Sequence, residues 1–369
     1  MSIVKSNING TNPWLVDVSV LLLFHARADH FSEVWNEVRR ARPSRLFLYQ
    51  DGPRGERDMP GIMACRELVK DENIDWKCEV YRLYQEKNYG CDPSEFISQR
   101  WAFSLTDKCI VLEDDDVPSQ SFFPFCKEML DRYENDESIV MISGFNVSHP
   151  SDTKDSCGKG SGIATVCDDN SMETSYFFTR AFSIWGWASW ARVVNNWDGE
   201  YGFVKNPVQF AELKQKSRQY RQRDDMVRMC ENHASQGKAF YETIFWAYMM
   251  LHDGLAVMPS VNLINNIGLD GGTHYSAQLE LLPRRLRWQF IMPRMELSFP
   301  LNHPKEVTEN YEYQKQFYLL NAWNNPFRKV QYSIEELWLN LRHGNFEKIK
   351  DSLINRIYKW LHINRGLYH

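Results

Sequence analysis

From Val16 to Phe24 the chain is mostly apolar, and Phe31, Val34, Trp35 and Val38 then recur at helical spacing. This predicts a buried strand followed by an amphipathic helix that Pro43 ends. The alternation repeats. Arg45–Tyr49 predicts a second strand opening into the turn Asp51-Gly52-Pro53-Arg54, and a helix follows from about Ile62 to Asp71. Cys78–Leu83 predicts a third strand, Asn88-Tyr89-Gly90-Cys91 a turn, Pro93–Ser104 a helix and Lys108–Leu112 a fourth strand. Four strands alternating with helices in about the first 115 residues predict an α/β fold with a mostly parallel sheet covered on both faces. Ligands of such sheets bind beyond the carboxyl ends of the strands.

Further along, the pattern predicts a helix over Phe122–Tyr133, a strand over Ile139–Ser143 and a long loop over the Ser-, Asp- and Gly-rich segment Ser148–Thr174. An aromatic stretch covers Tyr176–Trp190, a polar helical stretch Val204–Asn232 and a helix Tyr241–His252. Leu255–Leu263 then leads to a loop over Asn265–Ser276. Beyond Pro283 the chain turns basic and aromatic with weak periodicity, until helices near Ile334–Leu341 and Phe346–Leu361. A catalytic domain over residues 14–280 and a helical C-terminal extension over 281–369 are expected.

Bulk properties exclude some classes. A net charge of −5 argues against a nucleic-acid binder, which needs a basic surplus to displace counterions. Eight cysteines show no C-x-x-C pair, and the polar first residues lack the blocks of a secretory signal. A cytoplasmic, reducing setting is expected.

The chemistry concentrates in Glu113-Asp114-Asp115-Asp116, placed directly after the apolar strand Cys109–Leu112. Adjacent carboxylates repel one another, and a hard divalent cation relieves the repulsion while leaving positions open for phosphate oxygens. Mn²⁺ or Mg²⁺ there would stabilise a departing nucleotide diphosphate. The competing explanation is a solvated acidic turn capping the helix that begins near Ser121. Glu242 opens an otherwise apolar helix, a setting suited to a general base, although an acid in a first helical turn also answers the helix dipole.

The run Ile110–Phe123 (IVLEDDDVPSQSFF) resembles the acidic motif of GT-A-fold glycosyltransferases, especially the inverting N-acetylglucosaminyltransferase I type, and a group of bacterial family 2-like enzymes found with surface-polysaccharide genes. The resemblance spans about Val16 to His274. It implies a GT-A, Rossmann-like fold and an inverting transfer from a nucleotide-sugar donor, such as a UDP-sugar, to a glycan or lipid-linked saccharide acceptor.

Residue by residue, it implies that Arg27 and Asp51 contact the nucleotide, that Glu113 and Asp114 lie near ribose and sugar, and that Asp115 ligates the metal. Asp114 and Asp116 also make a D-x-D spacing, so Asp116 is a second candidate ligand. Gly144, in Ser143-Gly144-Phe145-Asn146, and Trp187, in Trp185-Gly186-Trp187, are implied near the sugars. Glu242 is implied as the base, one position off the family's usual acid. The segment from Asn265 to Thr273-His274 resembles a loop over the donor, with His274 as a further metal ligand or phosphate contact.

Two other classes compete: a sugar-phosphate nucleotidyltransferase, which would carry a Gly-rich phosphate loop where His25–His30 has no glycine, and a non-catalytic carbohydrate-binding protein. The segment Lys348–Arg365 combines basic residues with Ile354, Ile357, Trp360 and Leu361 at helical spacing. It is expected either to pack on the protein or to touch the inner face of an anionic membrane.

Overall fold

The computed structural model describes residues 3–147, 174–269, 279–346 and 349–350. Nine strands form one sheet in the order β1-β4-β3-β2-β5-β9-β7-β10-β8. They are β1 (Val4–Asn9), β2 (Val16–Phe24), β3 (Pro43–Gln50), β4 (Lys77–Tyr84), β5 (Lys108–Glu113), β7 (Ile139–Ser143), β8 (Tyr176–Thr179), β9 (Trp187–Trp190) and β10 (Leu255–Pro259). A separate two-stranded ribbon pairs β6 (Asp116–Pro118) with β11 (Ile264–Asn266).

Pairs β4/β3, β3/β2, β2/β5 and β7/β10 are parallel. Because β9 runs antiparallel to both β5 and β7, β7 points the same way as β5. Six strands therefore share one direction, and β1, β8 and β9 oppose it. This is the mainly parallel α/β sheet expected of a Rossmann-like, GT-A type domain. From Val18 onwards β2 is buried throughout, as are β7 and β10, which requires cover on both sheet faces.

The four helices expected up to Tyr133 are present. α1 (Ala28–Ala41) buries Phe31, Val34, Trp35 and Val38, followed by α2 (Met59–Leu68), α3 (Cys91–Phe103) and α4 (Phe122–Arg132). Short helices α5 (Ala191–Val194) and α6 (Gly202–Lys205) follow. The polar stretch expected as one helical region divides into α7 (Pro207–Gln219) and α8 (Met226–Gln236), and Asn206 starts α7 by accepting from the Val208 and Gln209 amides. Next comes α9 (Tyr241–Leu251).

Several elements differ from the sequence expectation. The polar N-terminal stretch forms β1, an edge strand paired antiparallel with β4, because an edge strand needs only backbone partners and no two-sided apolar pattern. The end of the aromatic stretch is β9, inserted between β5 and β7. The weakly periodic segment beyond Pro283 contains α10 (Arg284–Ile291) and α11 (Tyr311–Leu320) before α12 (Pro326–Arg342).

Residues on both sides of position 280 share one core, to which Tyr313, Phe317 and Tyr318 of α11 belong. Asn310 donates its backbone N–H to the Phe178 carbonyl at 2.7 Å, and the buried Arg180 pairs with the buried Glu309. Glu296 receives the Gln120 and Ser121 amides at 3.1 and 2.7 Å, which serves the start of α4. The six described cysteines are free thiols. No helix among the described residues is long and apolar enough to cross a membrane.

Candidate active site

Parallel register brings the chemistry to one edge. Leu23 lies opposite Glu113 and Phe24 opposite Gln50, so His25-Ala26-Arg27, Asp51 and Glu113-Asp114-Asp115 all emerge at the carboxyl ends of adjacent strands. They line a cavity of about 1010 Å³, large enough for a nucleotide-sized ligand.

At the acidic end Arg27 spans the turn after β5. Its Nη2 atom donates to Asp114 Oδ1 and, at 2.7 Å, to Asp115 Oδ2. Burial opposes the Arg27 charge, but Asp114 and Asp115 more than offset that, and the guanidinium is held firmly protonated. The second terminal nitrogen, Nη1, is buried and has no hydrogen-bond partner among the described residues. Asp114 also accepts the His25 amide at 3.3 Å; burial pushes its carboxyl up, and Arg27 opposes that push.

Asp115 is held from the other side by Asn266, whose Nδ2 donates to Oδ1 at 3.0 Å. Gly268 packs so closely that a Cβ there would lie 2.0 Å from Asp115 Oδ2. The β6/β11 ribbon sets this contact by placing Asn266 opposite Asp116.

Asp116 stands behind this lip. It is fully buried and lies outside the cavity lining. Its Oδ1 accepts from Asn266 at 3.1 Å, and its Oδ2 accepts the amides of Gly186 at 2.9 Å and Glu113 at 3.5 Å. Burial, reinforced by Asp115, raises its carboxyl well above the usual range. These bonds tie the β5–β6 turn to β11 and the loop before β9.

Asp51 faces the cavity, but its oxygens are taken by the amides of Gly52, Tyr89 and Gly90 and by Asn88 Nδ2, at 2.8 to 3.1 Å. It organises the loop over 88–90. Gly144 and Trp187 lie outside the lining. A Cβ at Gly144 would come within 2.6 Å of Ile264 and Phe122, so this glycine permits close packing. Trp187 is buried in an aromatic stack with Phe103, Tyr241 and Phe245. His274 lies outside the described residues.

Glu242, on the first turn of α9, is exposed and lines the same cavity. The same cavity is lined by a residue that the periodicity did not single out, Glu95 of α3. It is 7% exposed, and burial, with Glu242 and Asp92 adding like charge, raises its carboxyl well above the ordinary range. Glu113 is shifted the same way by burial and then by Glu95. Glu95 follows the first-turn acid Asp92 by three positions, and in sequence both look like ordinary charged residues near a helix start, so nothing local separates Glu95 from a surface residue.

The cavity also has an aromatic wall. Phe182, Trp185, Trp246, Tyr318 and Trp323 line it, and Arg223 sits 4.1 Å over the Trp323 ring. Part of this wall therefore comes from the C-terminal extension. Among the described residues no three His, Cys, Asp or Glu side chains converge as a ready-made metal cage.

No protein-family model matches the chain, and no curated protein does. Among solved structures, the apo form of mouse xyloside xylosyltransferase 1 is similar over 65% of this chain and 84% of its own, at 12% identity and a TM-score of 0.32. UDP-glucose pyrophosphorylase complexed with UDP-glucose is similar over 35% of this chain and 63% of its own, at 13% identity and a TM-score of 0.21. Both likenesses are distant, and no residue role is taken from either.

Proposed function

We propose that the chain is a glycosyltransferase that moves a sugar from a nucleotide-diphosphate donor to a glycan acceptor. The observation that carries this reading is that one cavity combines a carboxylate lip bridged by Arg27 at the strand carboxyl ends with aromatic side chains in the same lining. Cations and oxygen ligands suit a metal-bound diphosphate, and aromatic lining suits pyranose rings.

The donor set fits Mn²⁺ or Mg²⁺. Such ions are commonly held by one or two carboxylates and completed by substrate phosphate oxygens rather than caged by protein alone, and the lip offers oxygen ligands without a three-group cage. Asp115 is the proposed ligand because it lines the cavity, whereas Asp116 lies behind it; the ion would take the place of the Arg27 bond to Asp115 Oδ2. Bound there, the ion would neutralise charge on the leaving diphosphate.

The protein groups divide the remaining work. Arg27 Nη1, buried and unbonded, is available to a phosphate oxygen. Asp51 fixes the loop over 88–90 along the nucleotide side. Glu242 takes the proton of the acceptor hydroxyl as the new C–O bond forms and the bond from the anomeric carbon to the diphosphate breaks, which inverts the centre. Its exposure lets water carry that proton away.

Calorimetry with UDP and GDP in the presence and absence of Mn²⁺, followed by a donor-hydrolysis screen, tests the proposal. Metal-dependent nucleotide binding and release of free sugar are expected, with Asp115→Ala losing both while its circular dichroism is unchanged. Binding of oligosaccharide without nucleotide would mean a lectin and overturn the reading.

A further inference from the structure

Helix α12 carries an apolar face that stays exposed among the described residues. Phe327, Val330, Ile334, Leu337, Trp338 and Leu341 are 46–87% exposed. At about 100° per residue these six positions fall within a single arc of about 100° around the helix. The opposite face supplies the attachment: Tyr332, Leu339 and Asn340 are buried, and Tyr332 Oη donates to the Leu320 carbonyl at 2.8 Å. At the N-terminus of α10 the Arg284 amide donates to Glu335 at 2.9 Å, which sets Arg284 and Arg285 beside Ile334 and Trp338. Among the described residues, α12 thus packs through one side and leaves its apolar stripe exposed.

Charge indicates what belongs on the other. Residues 281–369 carry 14 Lys and Arg against 8 Asp and Glu, a net +6, whereas residues 1–280 carry 29 against 40, a net −11. Arg342 borders the stripe, with its guanidinium 5.3 Å from the Trp338 ring, and Arg328 and Lys329 stand at its start. A second copy of the chain docked face to face would bring two basic segments together. An anionic bilayer surface offers the complementary charge and accepts a shallow apolar stripe with large aromatics at the headgroup level.

We infer that the exposed stripe of α12 is a membrane-docking surface that rests on anionic lipid. This inference is independent of the proposed chemistry, since no stripe residue belongs to the active-site end of the cavity.

The test is flotation of the full chain with vesicles of phosphatidylcholine alone or mixed with phosphatidylglycerol, at low and high salt. The wild type is expected to float with the mixed vesicles, less so as salt rises, and to stay behind with the neutral ones. The double variant Ile334→Glu, Trp338→Glu should lose at least tenfold in vesicle partition while its nucleotide binding and melting temperature are retained, because both side chains are more than half exposed. Arg328→Glu with Lys329→Glu, which leaves the stripe intact, should weaken partition into the anionic vesicles as well. Failure of the wild type to float would overturn the inference, as would equal flotation of the double variant. So would a wild-type dimer in light scattering that the double variant converts to monomer, because a second copy would then cover the stripe.

Discussion

One edge of the Arg27 guanidinium serves two neighbouring carboxylates: Nη2 donates to Asp115 Oδ2 at 2.7 Å and also to Asp114. These acids are 5% and 8% exposed, so without the arginine two like charges would face each other where water screens them poorly.

Arg27→Ala is therefore expected to lower stability by about 2 kcal/mol, less than a fully buried broken pair because the arginine is partly exposed. Mn²⁺ should restore part of that loss and stabilise the variant more than the wild type, because the ion no longer competes with the guanidinium for Asp115. Thermal unfolding with and without Mn²⁺ checks this. An Mn²⁺ response equal to that of the wild type would count against Asp115 as a ligand.

Gly268→Ala places a methyl group 2.0 Å from Asp115 Oδ2, and the carboxylate must move. Donor turnover is expected to fall about a hundredfold, as when a reacting group is misplaced by about 1 Å, with a much smaller change in melting temperature. Retained turnover would show that the position of Asp115 is not critical.

For Glu95 the pH dependence has a definite sign. Burial, then Glu242 and Asp92, raises its folded-state pKa above the ordinary value near 4.3. The folded protein then binds the proton more tightly than the unfolded chain. The Glu95 contribution to stability is fully present below the unfolded pKa and declines as pH rises towards the folded one. Glu95→Gln removes that decline, so its stability advantage over the wild type should grow from pH 4 to pH 8 in urea unfolding. A constant difference across that range would contradict the buried, protonated state.

Trp187 separates packing from donor contact. Trp187→Ala is expected to cost about 3–5 kcal/mol, whereas Trp187→Phe keeps part of the aromatic stack and should leave the donor KM unchanged. A raised KM in the Phe variant, with stability preserved, would restore Trp187 to the sugar site.

The alternation of apolar strands and amphipathic helices from Val16 to Leu112 was enough to specify the parallel half of the sheet, because strand and helix periods differ and each buries its own face. The same linear signal singled out the acidic run after β5, which the fold brings to the edge of the cavity. It did not separate Asp115 from Asp116: adjacent residues share one local pattern, and only the Asn266 side chain and the Gly186 amide, 150 and 70 positions away, turn Asp116 inward. Glu95 was hidden for the same reason, since its burial depends on elements that meet it across the cavity. The placement of β9 and the joining of α11 to the core were likewise tertiary decisions, made by the partners each segment meets after the chain has closed on itself.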